Sequence, residues 1–155
     1  MRPEEVLEQI GIALPEGHPI VGNYVACVRT GTLIFVSGHG PFLDGKPAFV
    51  GKLGNDLSID EGKTAAETVM LNILSALKRE LGELSHVSRF VKLLVLVNST
   101  PEFTRHPTVA DGATDLLVKV FGERGRPARS AVGAPSLPLN IAVEIEAVVE
   151  VGDRA

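Results

Sequence analysis

The stretch from Phe90 to Val97 (Phe-Val-Lys-Leu-Leu-Val-Leu-Val) constrains the fold most, because seven of its eight residues are apolar. A short apolar run of this kind predicts a β-strand that is buried on both faces of a sheet. The helices predicted below can cover only one face of that sheet, and a large apolar face left in water promotes aggregation. The sequence therefore predicts a homo-oligomer, without fixing the number of subunits.

The clearest helix is predicted after residue 57. Ser58 and Glu61 form a capping-box pattern, in which each side chain satisfies a backbone donor of the first turn. Apolar residues recur at three- and four-residue spacing over 66–81, which is typical of one buried helical face. Gly82 is suited to end this helix.

Two further helices are expected. One covers roughly 108–121, with Thr108 and Asp111 at its start and Gly122 at its end. A shorter one covers 3–10, where a proline and two glutamates suit the first turn.

Strand signals lie on both sides of these helices. Segments 23–29 and 33–37 are predicted strands joined by a turn at 30–32, and Asp44-Gly45 predicts a shorter hairpin. The segment 141–151 alternates between two sets of side chains, as expected for a strand with one buried face.

The order of these elements predicts an α+β fold, in which two main helices cover one face of a mixed sheet. The step from 33–37 through the long helix to 90–97 permits a parallel strand pair with a right-handed crossover. No repeat or linker divides the chain, so residues 1–155 are predicted to form a single domain. Residues 1–20 would be an N-terminal helix and connector, and 20–151 the core.

Composition excludes several functional classes. The net charge is −4, basic residues are scattered, and no aromatic cluster offers a stacking platform, which argues against a nucleic-acid partner. No apolar run is long enough to span a membrane, and the first residues lack the features of a secretory signal. With Cys27 as its single cysteine, the chain is predicted to be cytoplasmic.

Metal and cofactor sites are not predicted. The histidines at positions 18, 39, 86 and 106 show no ligand spacing, and no glycine-rich loop meets a helix start in the phosphate-binding form. Cys27 is expected to be a small buried hydrophobe, and His39 is expected to be structural.

Several short strings occur in a fixed order along the chain. They are Val36-Ser37-Gly38, Ala65-Ala66, Val97-Asn98-Ser99 with Phe103, Pro127-Ala128-Arg129-Ser130, Leu137-Pro138 and Val143-Glu144-Ile145-Glu146-Ala147. With these strings the chain resembles, over about residues 20–150, the YjgF/reactive-intermediate deaminase (RidA) family. The Gly51-Lys52-Leu53-Gly54 insert and the N-terminal helix resemble a longer branch, labelled endoribonuclease L-PSP or chorismate-mutase-like.

The resemblance implies a chorismate-mutase-like fold assembled as a homotrimer, with a central barrel and three clefts between subunits. In the deaminase members these clefts bind small carboxylate-bearing enamines or imines, which are hydrolysed to 2-keto acid and ammonia without a cofactor. The same resemblance makes this chain an expected enamine/imine deaminase.

Two residues are the candidate catalytic pair. The resemblance assigns Arg129 to the substrate carboxylate, which a planar guanidinium can hold through two parallel hydrogen bonds. It assigns Glu144 to the attacking water, whose proton a carboxylate can accept. The alternatives are an ordinary surface arginine and an ordinary polar position on an alternating strand.

Five further residues are candidates for substrate binding. Tyr24 matches a tyrosine near the cleft entrance, Ser37 and Gly38 end a strand beside the cleft, and Asn98 ends the central strand. Ser130 follows Arg129 in the Arg-Ser string.

Some positions depart from the family pattern. Ala131 stands where many deaminase members have a cysteine, and Arg126 precedes the Pro-Ala-Arg string. A metabolite-binding or regulatory protein without turnover is therefore the alternative function. An RNA-cleaving enzyme is a third, which the negative charge argues against.

Overall fold

The computed structural model describes residues 1–17 and 19–152. His18, in the predicted connector and among the four histidines considered for metal binding, lies outside the described residues, as do residues 153–155. The elements in chain order are α1 (Pro3–Gln9), β1 (Cys27–Thr30), β2 (Leu33–His39), β3 (Phe42–Leu43), β4 (Lys46–Pro47), α2 (Ile59–Leu81), β5 (Val87–Asn98), α3 (His106–Phe121), β6 (Ala128–Ala134) and β7 (Val143–Val151).

Five of the strands form one mixed sheet in the order β1-β2-β7-β5-β6. β5 and β6 pair in parallel, whereas the other neighbours are antiparallel. The predicted β2–β5 pair was wrong as a hydrogen-bonded pair, because β7 lies between the two strands. Both run antiparallel to β7 and therefore share a direction, and the 23-residue α2 crosses over the intervening strand.

The two long helices pack together on one face of the sheet, as predicted. The apolar face of α2 is buried against α3 and against β7 and β2, and α3 packs on β5 and β6. In the part of the chain that the structure describes, no helix is long and apolar enough to cross a membrane. The predicted cytoplasmic location stays a prediction.

The opposite face of the sheet is open. Phe90 and Leu93 of β5 are fully buried beneath the helices, whereas Val91 on the same strand is 36% exposed. The prediction of a strand buried on both faces was therefore wrong for the isolated chain, in which only one face is covered. Phe35 and Val132 add to the open apolar surface, with 47% and 45% exposure.

Local signals set most element boundaries. The Ser58–Glu61 capping box is present, with two hydrogen bonds of 3.1 Å between side chain and backbone. Helix α3 begins at His106 rather than at Thr108, because Pro107 can occupy the first turn without leaving an unpaired N–H group. The Asp44-Gly45 hairpin also forms, between β3 and β4.

Candidate functional site

Arg129 lies on the edge strand β6 and points toward helix α3. Its Nη1 donates to Asp111 Oδ1 at 2.9 Å and to Thr114 Oγ1 at 3.0 Å. Its Nη2 donates to the Pro107 carbonyl at 3.4 Å. These bonds leave the Nε–H and one Nη2–H without a partner among the described residues, and two N–H groups are what a bidentate carboxylate contact requires.

The strand register explains why the Arg129 side chain points toward α3. Arg129 pairs with Leu93, which is fully buried beneath the helices, and paired residues in a sheet share a face. Asp111 and Thr114 are three residues apart on α3, so they lie on the same side of that helix. The guanidinium is therefore fixed between β6 and α3, with 22% of the side chain exposed.

Glu144 lies on the other face of the sheet. Its neighbours Val143 and Ile145 are fully buried in the core, so the alternation of β7 directs Glu144 to the open face. Burial raises the pKa of the Glu144 carboxyl, and the nearby Glu146 carboxylate adds to the rise. A carboxylate with a raised pKa is a better proton acceptor near neutral pH than an ordinary glutamate.

A bulge in β2 brings Gly38 against Glu144. The register between β2 and β7 shifts between Val36 and His39, which leaves an irregularity at the two residues between them. A Cβ atom placed on Gly38 would lie 2.9 Å from Glu144 Oε1. Glycine at position 38 therefore leaves the space that the Glu144 carboxylate occupies.

Ser37 and Tyr24 lie next to this bulge. The Ser37 hydroxyl donates to the Val25 carbonyl at 2.6 Å, which ties the residue following Tyr24 to the end of β2. Tyr24 itself is 53% exposed. The structure thus brings Ser37, Gly38 and Glu144 together at the β2 bulge. The role of Tyr24 in substrate binding stays a prediction.

Asn98 is separate from both groups. It is fully buried at the end of β5, where its Nδ2 donates to Gly51 O at 3.2 Å and to Asn140 Oδ1 at 2.9 Å. Its Oδ1 accepts a hydrogen bond of 2.8 Å from Lys52 Nζ. The side chain is engaged within the chain, and a ligand-binding role for Asn98 stays a prediction.

Ser130 follows Arg129 but faces the other way. Its hydroxyl oxygen lies 3.2 Å from Lys92 Nζ, a donor on β5. Alternation along β6 places Ser130 on the open face, whereas Arg129 lies on the helix-covered face. The Arg-Ser string therefore presents its two side chains to different faces of the sheet.

Similarity to known proteins agrees with this architecture. Residues 4–151 match the family described as "YjgF/chorismate mutase-like, putative endoribonuclease". The chain belongs to the YjgF/chorismate mutase-like family. The predicted family resemblance and the predicted chorismate-mutase-like fold are thereby confirmed.

Several relatives and solved structures align with nearly the whole chain. TCP17 of Trypanosoma cruzi is 44% identical over 148 residues, which cover 95% of this chain and 92% of the relative. The crystal structure of Atu1372 from Agrobacterium tumefaciens is 42% identical with a TM-score of 0.91, covering 97% of this chain and 92% of that one. A putative endoribonuclease from Shewanella oneidensis is 35% identical with a TM-score of 0.94, covering 97% of this chain and 100% of that one.

Membership of the YjgF/chorismate mutase-like family supports a role connected with small metabolites. The partners of Arg129 are the residues that sequence reasoning missed, since Asp111 was assigned to a helix start and Thr114 was not considered. Their signal is weak: two polar side chains three residues apart within an otherwise largely apolar helix. Pairing with Arg129 depends on how β6 lies beside α3, which periodicity does not reveal.

Proposed function

We propose that this protein hydrolyses small carboxylate-bearing enamines and imines to 2-keto acids and ammonia, in clefts between the subunits of a homotrimer. The observation that carries the proposal is the orientation of its two candidate catalytic residues. Arg129 and Glu144 lie on opposite faces of one sheet, so a cleft that uses both takes Arg129 from one subunit and Glu144 from another.

The distance between Arg129 and Glu144 within one chain supports a site that takes the two residues from different subunits. They are separated by two strand spacings, about 10 Å, and by three residues along the strands, about another 10 Å. A substrate imine of a few carbon atoms does not reach around the sheet from one side chain to the other. A second copy of β6 placed beside the open face would bring the two groups together.

The exposed surfaces support an assembly of this kind. β6 is an edge strand, so one side of its backbone has no strand neighbour among residues 1–17 and 19–152. The open face carries Val28 and Phe35, both about half exposed, around a shallow depression that also includes Leu94 and Val148. Burying this face against two further copies would remove it from water.

In the proposed reaction Arg129 fixes the substrate. The Nε–H and the remaining Nη2–H grip the substrate carboxylate, while Asp111 and Thr114 hold the guanidinium in place. Orienting the substrate in this way lowers the barrier because it removes freedom that would otherwise be lost in the transition state.

Glu144 then acts on water. Its carboxylate accepts a proton as the water oxygen bonds to the imine carbon, forming a carbinolamine. That proton passes to nitrogen and completes the carbinolamine. The hydroxyl proton of the carbinolamine then also passes to nitrogen, the carbon–nitrogen bond breaks, and ammonia leaves as the carbonyl forms. Water and imine are thus converted to keto acid and ammonia with no oxidant or cofactor, and an enamine first tautomerises to the imine.

The decisive measurement is ammonia and keto-acid release from 2-aminoacrylate, generated in situ by a pyridoxal-phosphate dehydratase. Wild-type protein is expected to accelerate release, and Arg129→Ala to lose that acceleration. Arg2→Ala is the matched control, because Arg2 also pairs with a carboxylate but does so on the surface of α1. Equal rates with and without wild-type protein would refute the deaminase proposal.

Glu144→Gln separates turnover from binding. The proposal requires a variant that still binds a 2-keto acid but loses turnover, because the amide cannot accept the proton of water. A metabolite-binding protein without activity would bind equally well in both forms and show turnover in neither. Cleavage of RNA by the wild-type and Arg129→Ala proteins alike would favour the endoribonuclease alternative.

A further inference from the structure

A cavity with mostly apolar walls and a few polar groups lies away from Arg129, at the end where β5 and β6 finish and α3 begins. Its volume is about 520 Å³, within the range of small-ligand sites. We call it the Lys52 cavity, since it is lined by Lys52, Ser99, Thr100, Phe103, His106 and Pro135, among others. Arg129 lines a different depression, beside Thr114 and Val118 of α3.

The Gly51–Gly54 insert places Lys52 in this cavity. Leu53 is hydrogen-bonded to the end of β5 through Leu53 N to Asn98 O at 2.9 Å and Thr100 N to Leu53 O at 3.0 Å. Gly51 and Gly54 have φ values of +130° and +90°, which glycine adopts without strain. The insert therefore adds a short extended segment to β5 and fixes the direction of its lysine.

The ammonium group of Lys52 is oriented by neutral oxygens. Nζ donates to Asn98 Oδ1 at 2.8 Å and to the carbonyl of Pro135. Within residues 1–17 and 19–152, no carboxylate forms a salt bridge with it, and Asp56 accepts from the Lys52 backbone N–H instead. An ammonium group has three N–H donors, so one remains for a ligand, and its charge is uncompensated.

Two further polar groups face the same space. Ser99 Oγ and His106 Nε2 share a hydrogen bond of 3.1 Å, and Ser99 is only 7% exposed. A Cβ atom on Gly133 would lie 2.6 Å from His106 Nε2 and 2.8 Å from Ser99 Oγ. Glycine at position 133 thus keeps this polar corner of the cavity open.

The remaining walls are apolar and include Pro101, Phe103 and Ala134. One cation at a polar corner suits a ligand with one negative charge and an apolar body. A phosphate, which carries close to two charges near neutral pH, would leave an unbalanced charge against these walls.

We propose that the Lys52 cavity binds a small monocarboxylate with a compact apolar body, at a site separate from Arg129. Lys52 holds the carboxylate, Ser99 and Thr100 offer hydroxyl groups to it, and Phe103 and the prolines contact the apolar part. The Gly51–Gly54 insert is the part of the chain that supplies this site with its charge.

The test is isothermal titration of the full-length protein with benzoate, and with benzamide as the neutral ligand of the same shape. Wild type is expected to bind benzoate saturably and benzamide at least about tenfold more weakly, because the charge-assisted hydrogen bond is lost. Lys52→Met should weaken benzoate by a similar factor, whereas Lys46→Met, at an exposed lysine of β4, should not. No saturable benzoate binding to wild type, or tighter binding of inorganic phosphate, would overturn the proposal.

Gly133→Ala tests the same cavity without changing Lys52. This second variant is needed because Lys52 also bonds to the buried Asn98, so Lys52→Met can disturb the fold as well as the binding site. The methyl added by Gly133→Ala should abolish benzoate binding while leaving the circular dichroism spectrum unchanged. Gly152→Ala is the matched control, because the nearest described atom outside its chain neighbours, Ser88 Oγ, would lie 3.9 Å from the added Cβ. Benzoate binding that survives Gly133→Ala but disappears in Arg129→Ala would assign the ligand to the Arg129 site and refute a separate one.

Discussion

Arg129 and Glu144 belong to the same sheet but face opposite sides of it. Arg129 pairs in register with Leu93, which the helices cover, whereas Glu144 pairs with Leu96, whose side chain faces the open side. Under the proposed function, one chain therefore contributes Arg129 to one site and Glu144 to another. This relationship makes the proposed function testable without knowledge of the physiological substrate.

Subunit mixing provides the first prediction. Arg129→Ala and Glu144→Gln proteins should each be inactive toward 2-aminoacrylate, yet regain activity after they are unfolded together and refolded. With equal amounts, half of the arginines and half of the glutamates are intact, so about a quarter of the sites combine both. Recovery to about a quarter of wild-type ammonia release is expected, and a mixture as inactive as its components would contradict shared sites.

The second prediction concerns the pH dependence of stability. Burial raises the pKa of Glu144, so the folded chain holds this proton more tightly than the unfolded chain. The contribution to stability is complete below the ordinary glutamate value of about 4.3 and is lost as pH rises through the raised value. The Tm of Glu144→Gln relative to wild type should therefore increase between pH 4 and pH 8.

Glu102→Gln is the control for that experiment, because Glu102 is exposed on the loop before α3. Its Tm difference from wild type should not follow the same rise. A flat difference for Glu144→Gln would mean that the carboxylate is compensated in the assembled protein.

The sequence predicted the features of the fold that depend on residues close together in the chain, such as where a helix begins and which strand residues are buried. The Ser58–Glu61 box begins α2 as expected, and the alternation of 143–151 matches the burial of β7, because both depend on neighbours within a few residues. The β2–β5 pairing could not be predicted in this way. A helical crossover can join two strands that are adjacent in the sheet or two strands with one strand between them. Here β7, which comes last in the chain, inserts between β2 and β5, so the second arrangement forms.

In the candidate site, too, the sequence predicted individual residues but not the contacts between distant parts of the chain. A family motif predicted Arg129 and Glu144 as functional residues, and alternation predicts the face of each strand residue once the covered face is known. The Asp111 contact and the position of Lys52 depend on the docking of α3 and of the insert against β5 and β6. Such contacts join residues that are distant in sequence, and periodicity carries no signal for them.

The third prediction concerns the core between the helices and the sheet. Phe90 is fully buried, and its ring meets Phe121 edge to face with centroids 5.3 Å apart. Phe90→Ala should lower the free energy of unfolding by about 3–5 kcal/mol, which urea denaturation would measure. Val21→Ala, at an 85% exposed position, should change it by no more than about 0.5 kcal/mol.

The fourth prediction isolates the space beside Glu144. In Gly38→Ala the new methyl would lie 2.9 Å from Oε1 and 3.1 Å from Cδ of Glu144. The flexible carboxylate can move away, so the fold should persist with a Tm close to that of wild type, but the proton acceptor would be displaced. Displacement by about 1 Å can reduce turnover about a hundredfold.

Kinetics with 2-aminoacrylate would measure that loss. Gly152→Ala is the glycine control, because its added methyl makes no close contact with the part of the chain that the structure describes. A fall in turnover with an unchanged affinity for a 2-keto acid product would identify displacement of Glu144 as the cause. If Gly38→Ala retains full turnover, then Glu144 does not need its observed position, and the proposed role of its carboxylate in activating water is wrong.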